Sequence, residues 1–397
     1  LIARWSFVAA WLLVSLVPAV AADTTDLARQ FEATLSGIQQ EYRFPGATAA
    51  FVLPDGEVGV AAVGLADART KKPMTPRSRM LAASIGKTFV GATVVSLAKN
   101  GRLGLDDPIS DWLGDRDWLN RLPNYESVTI RQLLSHRSGL PDHVYDAEFH
   151  AAAKDLWHGA ENPFPPEELV AFVLDEPPLF KAGQGWAYTD TGFILLGMII
   201  ESATGQDYYD IVRRRFTDPL QLTRTSPSNH PDLRDLATGY MSENNPFGFP
   251  TRTTTIDGSM AWNPGVEWTG GGLVSTSRDL ALWGFMLFQG RAMDAPYLQD
   301  LLSSVPIDPD NPSVRYGLGV AISRGGPFGT VYGHGGWIPG YTSSLRYYAD
   351  HQVCIAIQIN TDIGIVDDST SLVQELEADL AGLIIGALHA QPNSNKR

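Results

Sequence analysis

Apolar residues recur with a helical period near the start of the chain and then form short strand-like runs. A helix over residues 26–41 is predicted by four apolar side chains that share one stripe, Leu27, Phe31, Leu35 and Ile38. Two short apolar runs, residues 48–53 and 58–64, flank Pro54-Asp55-Gly56, which is typical of a hairpin turn. The chain therefore begins with a helix that leads into two strands of a sheet.

The pattern changes between residues 111 and 263, where helical stretches alternate with Pro- and Gly-rich loops. Strand-like alternation returns near the C-terminus and is followed by a last predicted helix over residues 371–388. The predicted strands form a meander over residues 316–322, 330–332, 343–348 and 353–360. This order indicates an α/β (α+β) fold in which a discontinuous domain, residues 23–110 and 264–390, carries a helical insertion domain at 111–263.

The net charge and the cysteine content limit the kinds of partner and metal site that the protein can have. The 397 residues include 30 Lys and Arg against 44 Asp and Glu, which gives a formal net charge of −14. This balance argues against nucleic acid or an anionic membrane surface as a partner, because both are bound through clustered basic residues. The single cysteine, Cys354, lies in an apolar run and excludes an internal disulfide and a Cys-based metal site. No metal and no cofactor are expected.

The two ends of the chain predict segments that do not belong to the fold. Residues 1–22 resemble a signal peptide, with a basic Arg4, an apolar run over 5–17 and small residues at 19–22. The apolar run is short for a membrane span, so an uncleaved anchor is the alternative. We therefore expect a secreted or periplasmic protein with no stable span after cleavage. Residues 391–397 are polar and predict a disordered tail.

The candidate chemistry begins at Ser84-Ile85-Gly86-Lys87, which opens a predicted helix over residues 84–99. Residues i and i+3 share a helix face, so the Ser84 hydroxyl and the Lys87 amine should point into the same space. The N–H of Ser84, at the helix N-terminus, would stabilise an oxyanion there. The same spacing recurs at Ser96 and Lys99 late in the helix, so the motif alone does not choose between the two copies.

A second group is needed to activate the serine, because a lysine with an ordinary pKa of ~10.4 is protonated at neutral pH. Either the pKa of Lys87 is lowered or another residue moves the proton. Tyr188 stands in a loop before a predicted helix over residues 193–203 and can relay a proton between Ser84 and a leaving group. The alternative is that Tyr188 is a packed aromatic residue and that Thr189 or Asp190 caps the helix.

A third segment, residues 332–340, is rich in glycine and lies at the end of a predicted strand. Gly335 and Gly336 would let a substrate backbone lie close to the strand edge. The N–H of Trp337 would act as a second oxyanion donor beside that of Ser84. His334 would contact a substrate carboxylate or the Tyr188–Ser84 pair. The alternative is a hairpin turn with an incidental histidine.

Together these segments resemble the serine β-lactamase and penicillin-binding-protein superfamily, in its class C-like branch of D-Ala-D-Ala carboxypeptidases, esterases and D-aminopeptidases. The resemblance extends from about residue 44 to residue 362. Five segments carry it in order: Ser84-Ile85-Gly86-Lys87, residues 132–141, Tyr188-Thr189-Asp190, residues 271–276 and His334-Gly335-Gly336. It implies a β-lactamase/transpeptidase-like fold, with an antiparallel sheet flanked by helices and an all-α insertion.

The resemblance also implies substrate-binding positions at Asp190, His334, Gly335 and Gly336. Asp190 stands where many members have asparagine, and His334-Gly335-Gly336 replaces Lys-Thr-Gly. Both changes favour a peptidase or an esterase over an efficient β-lactamase. The favoured function is a D-alanyl-D-alanine carboxypeptidase-type peptidase that acts through a Ser84 acyl-enzyme.

The alternative functions share this fold but differ in substrate or in activity. A β-lactamase-fold carboxylesterase and a class C-like β-lactamase would use the same serine. All three enzymes would take a small peptide, ester or β-lactam substrate. The alternative of another class is a catalytically silent protein that binds peptidoglycan peptides.

Overall fold

The computed structural model describes residues 24–156, 164–245, 247–294, 296–365 and 367–390. The predicted signal peptide and the predicted C-terminal tail lie outside these ranges. Within them, no helix is both long and apolar enough to cross a membrane.

The described strands form two antiparallel sheets. The strands are β1 (Gly46–Val52), β2 (Val58–Asp67), β3 (Lys72–Pro73), β4 (Met80–Leu81), β5 (Ser226–Pro227), β6 (Leu273–Ser275), β7 (Val305–Pro306), β8 (Val314–Tyr316), β9 (Ala321–Gly326), β10 (Gly329–Ile338), β11 (Tyr341–Tyr348) and β12 (Val353–Ile359). The large sheet has the order β3-β2-β1-β12-β11-β10-β9-β8-β7, and the small one has the order β4-β6-β5. The first and last parts of the chain therefore meet where β1 pairs with β12.

The described helices flank the large sheet and fill the middle of the chain. They are α1 (Thr24–Tyr42), α2 (Gly86–Lys99), α3 (Ser110–Leu113), α4 (Ile130–Leu134), α5 (Ala147–Leu156), α6 (Pro166–Ala171), α7 (Asp190–Thr204), α8 (Tyr208–Val212), α9 (Ser277–Phe288), α10 (Leu298–Leu301) and α11 (Leu372–Ala390). Single 3₁₀ turns occur at Ala83–Ile85, Leu119–Arg121 and His143–Tyr145, with a longer kinked one at Pro264–Gly270 and a π turn at Arg213–Thr217.

Two hydrophobic clusters lie on opposite faces of the large sheet. The terminal helices α1 and α11 cover one face, where Phe31 meets the edge of Phe51 at a centroid distance of 5.0 Å. The other cluster contains α2, which is buried along almost its whole length, and Phe89 stacks on Trp283 of α9 at 3.9 Å. Helix α2 is therefore a central element of the core, and it anchors the segment at its N-terminus.

Several predicted elements are confirmed with shifts of a few residues at their ends. The first and last helices occur as α1 and α11, and β1 and β2 form the predicted hairpin. These elements follow local patterns, which is why the sequence predicted them well.

The predicted strand over residues 316–322 is wrong. The structure has two strands there, β8 and β9, separated by a turn in which Gly319 adopts a φ of 78°. A Cβ on Gly319 would lie 2.6 Å from the carbonyl oxygen of Lys87, so the turn is pressed against the backbone of α2. The apolar run looked continuous because the glycines that reverse the chain do not interrupt a hydrophobic pattern.

The strand predicted over residues 330–332 is much longer than predicted. β10 continues through the glycine-rich segment to Ile338, and His334 pairs with Leu345 of β11. The alternative that placed His334 in a hairpin turn is therefore wrong. Glycine is depleted in strands, so the sequence pattern ended this strand too early.

The middle of the chain is largely helical, as predicted, since α3 to α8 all lie between residues 111 and 263. One hydrophobic cluster nevertheless includes side chains from both sides of the proposed boundaries, among them Phe89, Leu195 and Trp283. The division into a discontinuous domain and an insertion domain remains a prediction.

Candidate active site

Ser84 and Lys87 lie at the centre of the site. Ser84 is carried by the 3₁₀ turn Ala83–Ile85, directly before α2 rather than inside it, and Lys87 is in the first turn of α2. The Lys87 Nζ atom lies 3.2 Å from the Ser84 Oγ atom. The predicted shared face therefore exists, although a 3₁₀ turn and not a regular α-helix presents the serine.

The Lys87 amine has three hydrogen-bond acceptors and is fully buried. It donates to Ser84 Oγ, to Asp190 Oδ1 and to the carbonyl oxygen of Gly270. Three acceptors match the three protons of an ammonium, and the Asp190 carboxylate supplies the counter-charge that a buried cation needs. In this state Lys87 has no lone pair, so it donates to Ser84 and cannot accept the serine proton directly.

Tyr188 lies beside this pair, in the loop before α7, as the sequence predicted. Its ring centroid is 5.0 Å from Lys87 Nζ, and its hydroxyl oxygen is buried without a hydrogen-bond partner among the described residues. Burial raises the pKa of Tyr188 well above its ordinary value, Asp190 raises it further, and the approach of the Ser84 hydroxyl lowers it. Tyr188 is therefore a neutral phenol at physiological pH, with an O–H to donate.

His136 supports Tyr188, and the sequence did not assign it any role. The two rings lie 4.2 Å apart, and His136 Nδ1 accepts the N–H of Thr189 at 3.2 Å. Burial lowers the pKa of His136 well below its ordinary value, and the Lys87 charge lowers it further. The neutral His136 therefore holds the backbone N–H of Thr189 by a hydrogen bond and packs against the ring of Tyr188. The only signal in the sequence was its place in the segment over residues 132–141.

The alternative in which residues before α7 serve only as helix caps is not supported by the hydrogen bonds. Thr189 occupies the N-cap position but its side chain accepts no capping hydrogen bond. Its hydroxyl donates instead to the carbonyl oxygen of Pro141 at 3.0 Å. The Asp190 carboxylate is engaged by Lys87.

His334 lies on β10 and both of its ring nitrogens are engaged by the protein. Nδ1 contacts the carbonyl oxygen of Gly335, which can only accept, so Nδ1 carries the proton. Nε2 then accepts from the Tyr316 hydroxyl at 2.7 Å. Burial, with the Lys87 charge, lowers the pKa of His334 to about 3. His334 is therefore neutral at pH 7.

The glycines of β10 bring this strand against the turn that carries Ser84. A Cβ on Gly336 would lie 2.5 Å from the carbonyl oxygen of Ala82, so only glycine permits this approach. Gly335 has open space where a Cβ would stand, and Trp337 follows Gly336 along the strand. The structure thus brings the Ser84 and Trp337 segments together. Their roles as oxyanion donors remain a prediction.

These residues line a cavity of about 520 Å³. Ser84, Tyr188, Asp190, His334, Gly335, Gly336 and Trp337 all belong to its lining, as do two carboxyl groups that the sequence did not identify, Asp142 and Glu267. In the described ranges, no cluster of three His, Cys, Asp or Glu side chains is placed to hold a metal ion.

The second Ser-x-x-Lys copy lies elsewhere. The Ser96 hydroxyl accepts a hydrogen bond from Arg215 at 2.6 Å, and Lys99 forms an ion pair with Asp300 at 2.5 Å. Neither residue lines the cavity. The structure therefore separates the two copies that the spacing alone left equivalent.

Glu267 is a buried carboxyl group that should make stability depend on pH. Its Oε2 atom has no hydrogen-bond partner among the described residues, and burial raises its pKa from 4.5 to about 8, with Asp190 adding to the rise and Lys87 opposing it. Between these two pH values the unfolded chain binds fewer protons at this group than the folded protein. Glu267 therefore lowers folding stability as pH rises through this window, by at most about 1.4 kcal/mol per pH unit.

We expect Glu267→Gln to remove this contribution, so that the variant gains stability over the wild type as pH rises from 5 to 8. Urea unfolding at pH 5, 6.5 and 8 measures the difference in free energy of unfolding. The exposed Glu243→Gln serves as the matched control and should show a constant difference. A constant difference for Glu267→Gln as well would show that this carboxyl group ionises normally.

The fold is similar to that of solved amidohydrolase and amidase structures. The solved structure of the D-amino acid amidase from Ochrobactrum anthropi SV3, complexed with L-phenylalanine amide, superposes with a TM-score of 0.75 at 26% identity. The match covers 91% of this chain and 99% of that one.

The family model described as Beta-lactamase matches residues 31–379, and the chain belongs to this family of serine hydrolases. This confirms the resemblance and the fold class predicted from the sequence.

Two curated relatives extend the comparison. The penicillin-binding protein 4* of Bacillus subtilis (strain 168) is 28% identical over 298 residues, which cover 73% of this chain. The D-aminopeptidase of Brucella anthropi is 27% identical over 366 residues, which cover 88% of this chain. The aligned parts span 62% and 65% of these two relatives, respectively.

Proposed function

We propose that the protein hydrolyses small amides or esters through an acyl-enzyme on Ser84. The observation that carries this proposal is the contact of the buried Lys87 amine with the Ser84 hydroxyl, within a cavity that both the nucleophile and Tyr188 line. Ser84, Lys87 and Tyr188 are all present, which also argues against a catalytically silent binding protein.

In the proposed first step, Ser84 Oγ forms a bond to the substrate carbonyl carbon. The serine proton passes to Lys87 as Lys87 passes one of its own to the Asp190 carboxylate, so the ion pair acts as the base. The N–H groups of Ser84 and Trp337 hold the oxyanion.

The bond to the leaving group then breaks, and the Tyr188 hydroxyl protonates the leaving nitrogen or oxygen. Tyr188 regains a proton from the Lys87–Asp190 pair. In the second step water attacks the ester on Ser84 and gives one proton back to the serine oxygen. The acid product then leaves, and the site returns to its starting state.

The neutral His334 favours substrates that do not end in a carboxylate. A carboxypeptidase must bind the terminal carboxylate of its substrate, and both nitrogens of His334 are already engaged. Arg346 also lines the cavity, but it is paired with Glu377 at 3.0 Å. The relatives named D-aminopeptidase and D-amino acid amidase support amides of D-amino acids as the first substrates to test.

A D-alanyl-D-alanine carboxypeptidase, which the sequence favoured, is the second candidate, and the similarity to penicillin-binding protein 4* supports it. N-acetyl-D-alanyl-D-alanine and its C-terminal amide separate the two candidates, because they differ only in the charge at the end of the leaving group. We expect kcat/KM to be at least about tenfold higher for the neutral amide, since burying an unpaired carboxylate is costly. A preference for the free acid would instead establish the carboxypeptidase.

A further inference from the structure

We propose that four stacked aromatic rings in the cavity bind the acyl part of the substrate, and that this part carries a large apolar group. The rings belong to Phe247, Phe249, Trp262 and Trp337, and we call them the aromatic wall. This inference rests on the proposed function, because it names the substrate class for the same nucleophile.

The aromatic wall is continuous. Trp262 stacks on Phe249 at a centroid distance of 5.5 Å, Phe249 on Phe247 at 5.5 Å, and Phe247 on Trp337 at 6.3 Å. The interplanar angles of these three pairs are 25°, 28° and 26° in this order, so neighbouring rings lie close to parallel. All four residues line the same cavity as Ser84.

Hydrogen bonds fix the end of the aromatic wall that Trp337 forms on β10. The Trp337 indole N–H donates to Asp362 Oδ2 at 3.2 Å, and the N–H of Gly340 donates to the same oxygen at 3.0 Å. The carboxylate of Asp362 is therefore directed at these two donors. The Trp337 ring keeps its face for stacking and for contact with an apolar ligand.

The position of Tyr188 determines which part of the substrate reaches the wall. Tyr188 protonates the leaving group in the proposed mechanism, and its ring lies 6.2 Å from that of His334. Trp337 stands three residues further along β10, about 10 Å away at the usual rise of a strand. The leaving group therefore points toward His334, and the acyl group points toward Trp337 and the wall.

The chemistry of the wall selects the kind of acyl group. Phe247, Phe249 and Trp262 are largely buried, and the parts that line the cavity belong to aromatic side chains that consist mainly of carbon. An apolar acyl chain gains by leaving water for such a surface, roughly fourfold in binding for each methylene group. A charge on the part of the acyl group that contacts the rings would lose its hydration there without finding a counter-charge.

A series of p-nitrophenyl esters tests this inference, because the leaving group stays constant while the acyl chain grows from acetate to butyrate and hexanoate. For the wild type we expect kcat/KM to rise by roughly tenfold or more with each pair of methylene groups. We expect Phe247→Ala to flatten this series, so that the ratio of kcat/KM for hexanoate to kcat/KM for acetate falls from the wild-type value toward one. Phe328→Ala is the matched control, because Phe328 packs on Tyr348 outside the cavity and should leave the series unchanged.

A second variant at the same position distinguishes a change in acyl-group binding from a folding defect in Phe247→Ala. Phe247→Trp adds volume at the same ring position, and we expect it to shift the preference toward acetate. A wild-type rate that does not depend on acyl length, or a series that neither Phe247 variant changes, would overturn the inference while the acyl-enzyme on Ser84 still stands. Failure of every ester to acylate Ser84 would overturn both the inference and the proposed function.

Discussion

Ser84→Ala should lower kcat/KM for amide and ester substrates by roughly 10⁴-fold or more, to the background rate. The reason is that the alanine variant has no oxygen with which to form the acyl-enzyme, while the remaining groups can only bind the substrate. Steady-state hydrolysis of a p-nitrophenyl ester, followed by the release of p-nitrophenolate, gives this ratio directly.

Ser96→Ala provides the matched control, because it removes a hydroxyl from the second copy of the same motif. Ser96 accepts a hydrogen bond from Arg215 and does not line the cavity. We expect its kcat/KM to stay within about twofold of the wild type, as for a substitution remote from the chemistry. Equal losses in the two variants would contradict the assignment of the nucleophile to Ser84.

Lys87→Met should lower kcat by about 10³-fold while the KM changes little, because the lysine takes part in proton transfer. Methionine keeps much of the side-chain volume in this buried position but offers no proton to Ser84 Oγ. It also leaves the Asp190 carboxylate without its ion-pair partner. Stopped-flow acylation by a p-nitrophenyl ester separates the chemical step from substrate binding.

Lys99→Met is the matched control for this prediction. Lys99 is paired with Asp300 near the surface end of α2, away from the cavity. The variant should keep a wild-type acylation rate. An acylation rate for Lys87→Met that matched the wild type would mean that Tyr188 or another group activates Ser84 without the lysine.

The sequence predicted the elements that depend on local patterns and on chain order. The stripe of Leu27, Phe31, Leu35 and Ile38 predicted α1, and all four side chains are buried. The turn at Gly319 was not predicted because it depends on a close contact with the backbone of α2, which lies more than 200 residues away in sequence. A contact between residues so far apart does not change the spacing of apolar residues along the sequence.

The site was predictable to the extent that short motifs carry it. Ser84 and Lys87 meet because i and i+3 positions share a face, and Tyr188 follows from its place before α7. The contacts that determine the protonation states of His334 and Glu267 could not be predicted from the sequence. Tyr316 reaches His334 only because β8, β9 and β10 lie side by side, and Glu267 is buried only in the folded cavity.

The pairing of Lys87 with Asp190 changes how the site should be understood. The sequence left two possibilities open, a lowered pKa of Lys87 or a second residue that moves the proton. The structure surrounds the Lys87 amine with three acceptors, one of them a carboxylate that can take its proton. In the mechanism that we propose, the base is a proton relay of these two residues, and Asp190, which stands where many members of the family have asparagine, takes part in the proton transfer.

The acyl-enzyme on Ser84 is the central claim, and peptide mapping tests it most directly. The protein is mixed with p-nitrophenyl hexanoate, quenched in acid within the first turnover, digested and analysed by mass spectrometry. We predict a hexanoyl group on the peptide that contains Ser84, and none on the corresponding peptide of Ser84→Ala. A hexanoyl group on another residue of the wild type, or hydrolysis of the ester without any acylated peptide, would contradict the account.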